Sequence, residues 1–318
     1  MGTNRGRLVS VILCSLVLLP VYAQDAEMPV RRGSDPVGVT VADQPSESYR
    51  FETHYMDSRD GQRHYRIQLA IPRRARAHEP LAALYMLDGN AAMDTLKPQD
   101  LESLADGTAP VLVALGHDVP TRTDAAARAY DYTPPLHGKS SGAPAPVVLG
   151  HAGGGADEFL HLLVTRIMPL VHSRVAVDDS RSTLWGHSYG GLFVIYALMK
   201  QPELFRHYVA GDPSLWWHHG EIRDHWRDAD KNLLAGKRLA ILTGTRPRAR
   251  PAPYTLEAAR YPGRPVVDPL AILMEIISGA ASHGLHLSYQ ALPQYGHGEM
   301  LACSLRYALG MMSESALR

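Results

Sequence analysis

Gly186-His187-Ser188-Tyr189-Gly190-Gly191 stands between the strand-like run Ser182-Thr183-Leu184-Trp185 and the helix-like run Leu192-Phe193-Val194-Ile195-Tyr196-Ala197-Leu198. A G-x-S-x-G pattern in that setting describes a strand turning sharply into a helix, with a serine at the apex. The glycines have a physical purpose. The turn is strained and crowded, so Gly186 and Gly190 are expected to keep Cβ atoms away from the crossing backbone. The Ser188 hydroxyl then lies at a helix N-terminus, where backbone N–H groups favour developing negative charge. The bland alternative is an ordinary glycine-rich helix start.

The rest of the chain supplies the surroundings such a turn needs. From Ser48 onward, Tyr49–Tyr55 and Arg63–Ile71 alternate like half-buried strands around the turn Ser58-Arg59-Asp60-Gly61. Short apolar runs follow at Leu81–Leu87, Val111–Leu115, Ser182–Trp185, Tyr208–Ala210, Leu239–Leu242 and Leu285–Leu292. Helical stretches lie between them at Asp157–Val171, Tyr189–Met199 and Pro269–Ser282, the last with Asp268 as N-cap and Pro269 at its first position. This alternation predicts an α/β fold with a mostly parallel sheet covered on both faces, and the first two strands at one edge. No repeat or linker interrupts residues 48–318, which read as one domain.

Composition removes several function classes. Of 318 residues, 45% are hydrophobic and 20% charged, which excludes a disordered chain. Lys+Arg and Asp+Glu both number 32, against the basic excess of a nucleic-acid binder. Two cysteines make neither a disulfide framework nor a cysteine-rich zinc site. Residues 1–23 combine basic Arg5 and Arg7, an apolar stretch from Leu8 to Pro20 and Ala23 at a cleavage position. That pattern predicts a cleavable export signal rather than a membrane anchor, with Cys303 the cysteine left in the mature chain. Residues 24–47 mix acids, Pro, Gly and Ser and read as a loose leader.

A serine nucleophile needs a base. In hydrolase chain order the histidine comes last, in a loop after the final strand. That loop is Pro293-Gln294-Tyr295-Gly296-His297-Gly298-Glu299-Met300, and His297 is the one histidine beyond the strand Leu285–Leu292. Adjacent His218 and His219, without an acidic partner at helical spacing, do not make a metal site, and no metal or cofactor is expected.

Tyr85-Met86-Leu87-Asp88-Gly89-Asn90, Arg128-Ala129-Tyr130-Asp131-Tyr132-Thr133-Pro134, Gly154-Gly155-Ala156-Asp157, the Ser188 motif and Gly296-His297-Gly298-Glu299-Met300 occur in that order. Together they resemble the esterase-D-type α/β-hydrolases, most nearly the ferric enterobactin esterases, over roughly Ser48 to Leu309. The resemblance implies an α/β-hydrolase fold and cleavage of the trilactone esters of a ferric catecholate siderophore, with Ser188 as nucleophile and His297 as its base. It further implies an oxyanion hole made by the N–H groups of Tyr189 and Asn90. The exported branch of the group works in the periplasm, which fits residues 1–23.

Arg128, in a stretch read as a long loop over the strand ends, is a candidate substrate contact, with an ion pair to Asp131 as the structural alternative. Trp216 and Trp217 are candidates to stack on catechol rings, and Arg246, Arg248 and Arg250 to form a basic rim. The usual acid position after Leu239–Leu242 reads Thr243-Gly244-Thr245-Arg246 and has no carboxylate before Glu257. Where the family usually has Ser-Pro-Ser-Leu, this chain has Asp212-Pro213-Ser214-Leu215, so Asp212 is the candidate acid, with a Ser–His dyad as the alternative. A general carboxylesterase and a non-catalytic siderophore-binding module remain as competing functions.

Overall fold

The computed structural model describes residues 30–76, 78–106, 109–138, 144–247, 255 and 267–315. The expected export signal (residues 1–23) lies outside these residues, as do Arg248 and Arg250. Eight strands form one sheet: β1 (Tyr49–Asp57), β2 (His64–Pro72), β3 (Ala83–Leu87), β4 (Val111–His117), β5 (Thr183–His187), β6 (His207–Gly211), β7 (Arg238–Gly244) and β8 (His286–Leu292). Their spatial order is β1-β2-β4-β3-β5-β6-β7-β8. β2 is antiparallel to β1 and β4, and every pairing from β4 through β8 is parallel. This is the α/β-hydrolase fold, with the antiparallel pair at one edge.

Burial explains which segments read clearly. β3, β5 and β6 are buried at every residue, because helices cover both faces, and they appear as continuous apolar runs. Alternate residues serve opposite layers. Tyr85, Leu87, Val113, Leu184 and Tyr208 join one apolar cluster, whereas Leu84, Met86, Leu112, Trp185 and Val209 join the other. The first layer is covered by α4 (Ala156–Leu162), α5 (Met168–Arg174), α6 (Tyr189–Lys200), α7 (Ile222–Asp228) and α8 (Pro269–Ala281). The second is covered by α1 (Gly89–Thr95), α2 (Pro98–Ala105) and α9 (Met300–Ser315). α6 is buried from Gly190 to Met199, which is why its sequence is apolar all round. Asp268 caps α8 as expected, accepting from the Leu270 N–H at 2.9 Å with Pro269 following. Among the described residues no helix is long and apolar enough to cross a membrane.

Two expectations change. The described part of the leader, from Val30, is mostly exposed but tied to the domain: Val37 N–H donates to Pro120 O at 2.9 Å, Arg31 pairs with Asp94, and Val41 is buried. Polar composition hid this, because the segment is held by partners remote in sequence. Arg128 is not on a loop either. It lies on α3 (Ala125–Asp131), whose N-cap Asp124 accepts from the N–H groups of Ala126 and Ala127. Parallel strands then bring the residues after β3, β5, β6 and β8 to one edge of the sheet, where sites form in such folds.

Candidate active site

Ser188, between β5 and α6, has φ 62° and ψ −117°, a strained conformation for a residue with a side chain. Two backbone bonds hold it: Ser188 N–H donates to Gly211 O at 2.9 Å, and Ser214 N–H donates to Ser188 O at 3.1 Å. A Cβ on Gly186 would lie 2.5 Å from the Gly190 carbonyl, and one on Gly191 would lie 2.9 Å from Gly211 O. A Cβ on Gly190 would meet Leu87 at 3.4 Å, an ordinary contact. Crowding is therefore relieved at Gly186 and Gly191, not at Gly186 and Gly190 as the pattern suggested.

His297 Nε2 lies 3.2 Å from Ser188 Oγ, and its Nδ1 lies 2.5 Å from Asp212 Oδ2. A carboxylate accepts, so Nδ1 carries the proton and Nε2 is free to take one from the serine. Asp212 follows β6 with φ 40°, and its N–H donates to Leu242 O at 2.6 Å. Its carboxylate meets the loop after β8 although β7 stands between. Gly244, at the end of β7, makes this possible. A Cβ there would lie 2.7 Å from Tyr295 O and 3.0 Å from Gly296 O, so the histidine loop packs directly over the strand end. The loop after β7 is tied beneath it, with Thr245 N–H on Leu292 O and Arg246 N–H on Tyr295 O.

The three side chains open into a pocket of about 280 Å³ whose wall includes Arg128, Leu149, Tyr189, Trp216 and Pro269. Arg128 forks Asp88 through Nε and Nη2, both at 2.8 Å, and its Nη2 also donates to His187 O at 3.3 Å. Burial would lower the guanidinium pKa, but the adjacent Asp88 carboxylate outweighs it and the pKa is raised. Its charge centre lies 5.2 Å from the Tyr189 ring centre, and that ring is 6.1 Å from Trp216. Cation and aromatic rings thus line one wall. A larger hollow, about 730 Å³, lies between the β1–β2 turn and α4. Its Arg63 is paired with Asp60 and Glu158, and none of the three aligned side chains reaches it.

Residues 58–246 match the family model described as "Putative esterase". The chain belongs to that esterase family. It is 33% identical over 282 residues to the apo-salmochelin esterase of Escherichia coli O6:H1 (strain CFT073), covering 86% of this chain and 82% of the relative. The siderophore enterobactin esterase of Emericella nidulans is 36% identical over 151 residues, 44% of this chain and 48% of that one. The solved structure of the enterobactin hydrolase IroE with DFP superposes with a TM-score of 0.69 at 33% identity, covering 86% of this chain and 98% of that chain. The fold and the family together make this chain an ester hydrolase.

The structure sorts the other candidates in this esterase. Tyr189, Arg128 and Trp216 line the pocket. Asn90 does not: it is 2% exposed in the first turn of α1, and its Nδ2 donates to the carbonyls of His117, Val119 and Thr121. That side chain anchors the chain after β4, whereas the expected oxyanion donor is the Asn90 backbone N–H, which these bonds do not involve. Trp217 is 2% exposed and belongs to the core, while its neighbour Trp216 turns toward the pocket. Arg246 pairs with Glu299 and donates to Gln294 O, bracing the histidine loop from outside the pocket. Arg128 pairs with Asp88 rather than Asp131, whose carboxylate instead meets Arg63, His117 and Tyr65. The roles of Asp88, Gly244 and Ser214, whose Oγ lies 3.3 Å from Ser188 Oγ, have no local sequence signal because they depend on partners far away in sequence.

Proposed function

We propose that this esterase hydrolyses the lactone esters of a catecholate siderophore through an acyl-Ser188 intermediate. One observation carries the proposal: the Ser188–His297–Asp212 alignment opens onto a pocket walled by Arg128, Tyr189 and Trp216. Ser188 Oγ attacks the ester carbonyl while His297 Nε2 takes its proton, and Asp212 stabilises the resulting imidazolium. His297 then returns the proton to the leaving alkoxide, and water cleaves the acyl-enzyme by the same relay. The Tyr189 N–H, first in α6, would bond the developing oxyanion.

The pocket suits one aromatic arm of the ligand rather than the whole ligand. Catechol oxygens would meet Arg128 and the ring would stack against Trp216. The finer reading is that the substrate is ferric enterobactin, whose iron is freed once the trilactone is cut. Action in the periplasm belongs to the same proposal and rests on residues 1–23. A general carboxylesterase draws on one observation, that the Arg128 charge is already matched by Asp88.

The test is mass spectrometry of products from ferric enterobactin, apo-enterobactin and a short p-nitrophenyl ester run side by side. Linear and monomeric catechoyl-serine products are expected from the siderophores, and turnover of the p-nitrophenyl ester alone would favour the general reading. Ser188→Ala and His297→Ala should each abolish turnover, with the double variant little worse than either. Retention of more than about a tenth of wild-type kcat would remove that residue from the mechanism.

A further inference from the structure

A base on a loop between two glycines, Gly296 and Gly298, must be held by more than its ring. Asp212 sets the rotation of the imidazole but not the height of the backbone that carries it. That backbone is gripped twice. Gly296 N–H donates to Glu299 Oε2 at 2.9 Å, and His187 Nε2 lies 2.8 Å from the carbonyl oxygen of His297 itself.

His187 is the last residue of β5, immediately before the nucleophile, and is 8% exposed. Two residues beyond Trp185, its side chain leaves the strand on the same side, toward α9 and the loop that leads into it. A carbonyl oxygen only accepts, so His187 Nε2 must carry a proton. Burial, and then the nearby His297, lower the His187 pKa to about 3, so the ring remains a neutral donor. Neutrality matters here, because the two ring centres are 4.7 Å apart and a fixed cation would oppose the imidazolium formed on His297. The His187 carbonyl meanwhile accepts from Arg128, so one residue links Arg128 and the histidine loop to the turn that bears Ser188.

We propose that His187 is a positioning residue for the reaction: through the His297 carbonyl it sets where Nε2 stands relative to Ser188 Oγ. This rests on the reading of Ser188 and His297 as nucleophile and base. Displacing such a base by an ångström costs on the order of a hundredfold in rate.

The experiment uses p-nitrophenyl acetate, which makes no demand on siderophore recognition, together with titration of Ser188 by a fluorophosphonate. His187→Leu should lower kcat by about 10- to 100-fold with KM within about threefold and with full Ser188 titration. His187→Gln, whose side-chain N–H reaches about as far as Nε2, should return kcat to within about fivefold of wild type. His187→Asn, one methylene shorter, should fall below Gln, and this pair carries the test if the Leu variant does not fold. A Leu variant within about threefold of wild-type kcat, or Gln no better than Asn, overturns the proposal. If the fluorophosphonate fails to label Ser188 in the wild type, the nucleophile assignment itself falls. Labelled wild type with unaffected His187 variants removes only this inference.

Discussion

Asp212 offers a substitution that separates charge from shape. Its backbone sits at φ 40°, a region that Asn tolerates as well as Asp, so Asp212→Asn should fold unchanged. The amide cannot stabilise an imidazolium and can pair with the wrong tautomer. We expect kcat to fall by a hundredfold or more, up to about 10⁴, with little change in KM. A loss under about fivefold would leave Ser188 and His297 working as a dyad. Ser188 and His297 were legible because their signals are local: one lies in a strand–turn–helix pattern, the other in the last loop. Asp212 was visible as an acid in an unusual position, but its partner was not. Trp216 and Trp217 show the limit most clearly, since adjacent identical side chains divide between pocket and core.

Among the structural elements, the crossing of the β8 loop over the end of β7 decides whether the acid and the base meet. Gly244→Ala would drive a Cβ into the Tyr295 and Gly296 carbonyls, and should destabilise the fold by about 1–3 kcal/mol. Because the displaced loop carries His297, kcat should drop by roughly 10- to 100-fold. Gly190→Ala is the control: its Cβ finds only ordinary contact, so stability should be unchanged or raised, since Ala is the better helix former. Thermal unfolding and steady-state rates on both variants check this, and equal damage from the two would discredit the crossing. Neither glycine could be assigned this way from the chain alone. Gly190 stands in a named motif and Gly244 in an unremarkable tripeptide, yet close backbone approach occurs at Gly244.

Over the whole molecule, balanced charge limits how far electrostatics can select a ligand. Lys+Arg and Asp+Glu are equal in number, so the full chain carries no formal net charge with which to draw an anion from a distance. At the pocket Arg128 is matched by Asp88, and outside it Arg246 is matched by Glu299. Of the basic rim expected from the sequence, Arg246 is thus paired, and Arg248 and Arg250 lie outside the described residues. With Arg128 and Arg246 paired at contact distance, we expect kcat/KM on a catecholate ester to change by less than about threefold between 50 and 500 mM salt, where exposed charges would be screened over about 4–14 Å. Trp216→Ala should raise KM for the same substrate by about tenfold, from lost ring contact. A tenfold salt effect with an indifferent Trp216 would restore the basic rim.

Features written in short stretches were legible in the chain: the serine turn, the capped α8, the alternation that makes a covered parallel sheet, and the terminal histidine. Each depends on neighbours within a few residues, through backbone dihedrals, caps or burial period. Pairings did not follow from it. Arg128 was offered Asp131 three residues away and took Asp88, forty positions distant; Asn90 became an anchor for the chain after β4; His187 reached the carbonyl of His297 across 110 positions. Those choices arise when strand order brings remote segments to one edge and burial penalises any polar group left without a partner.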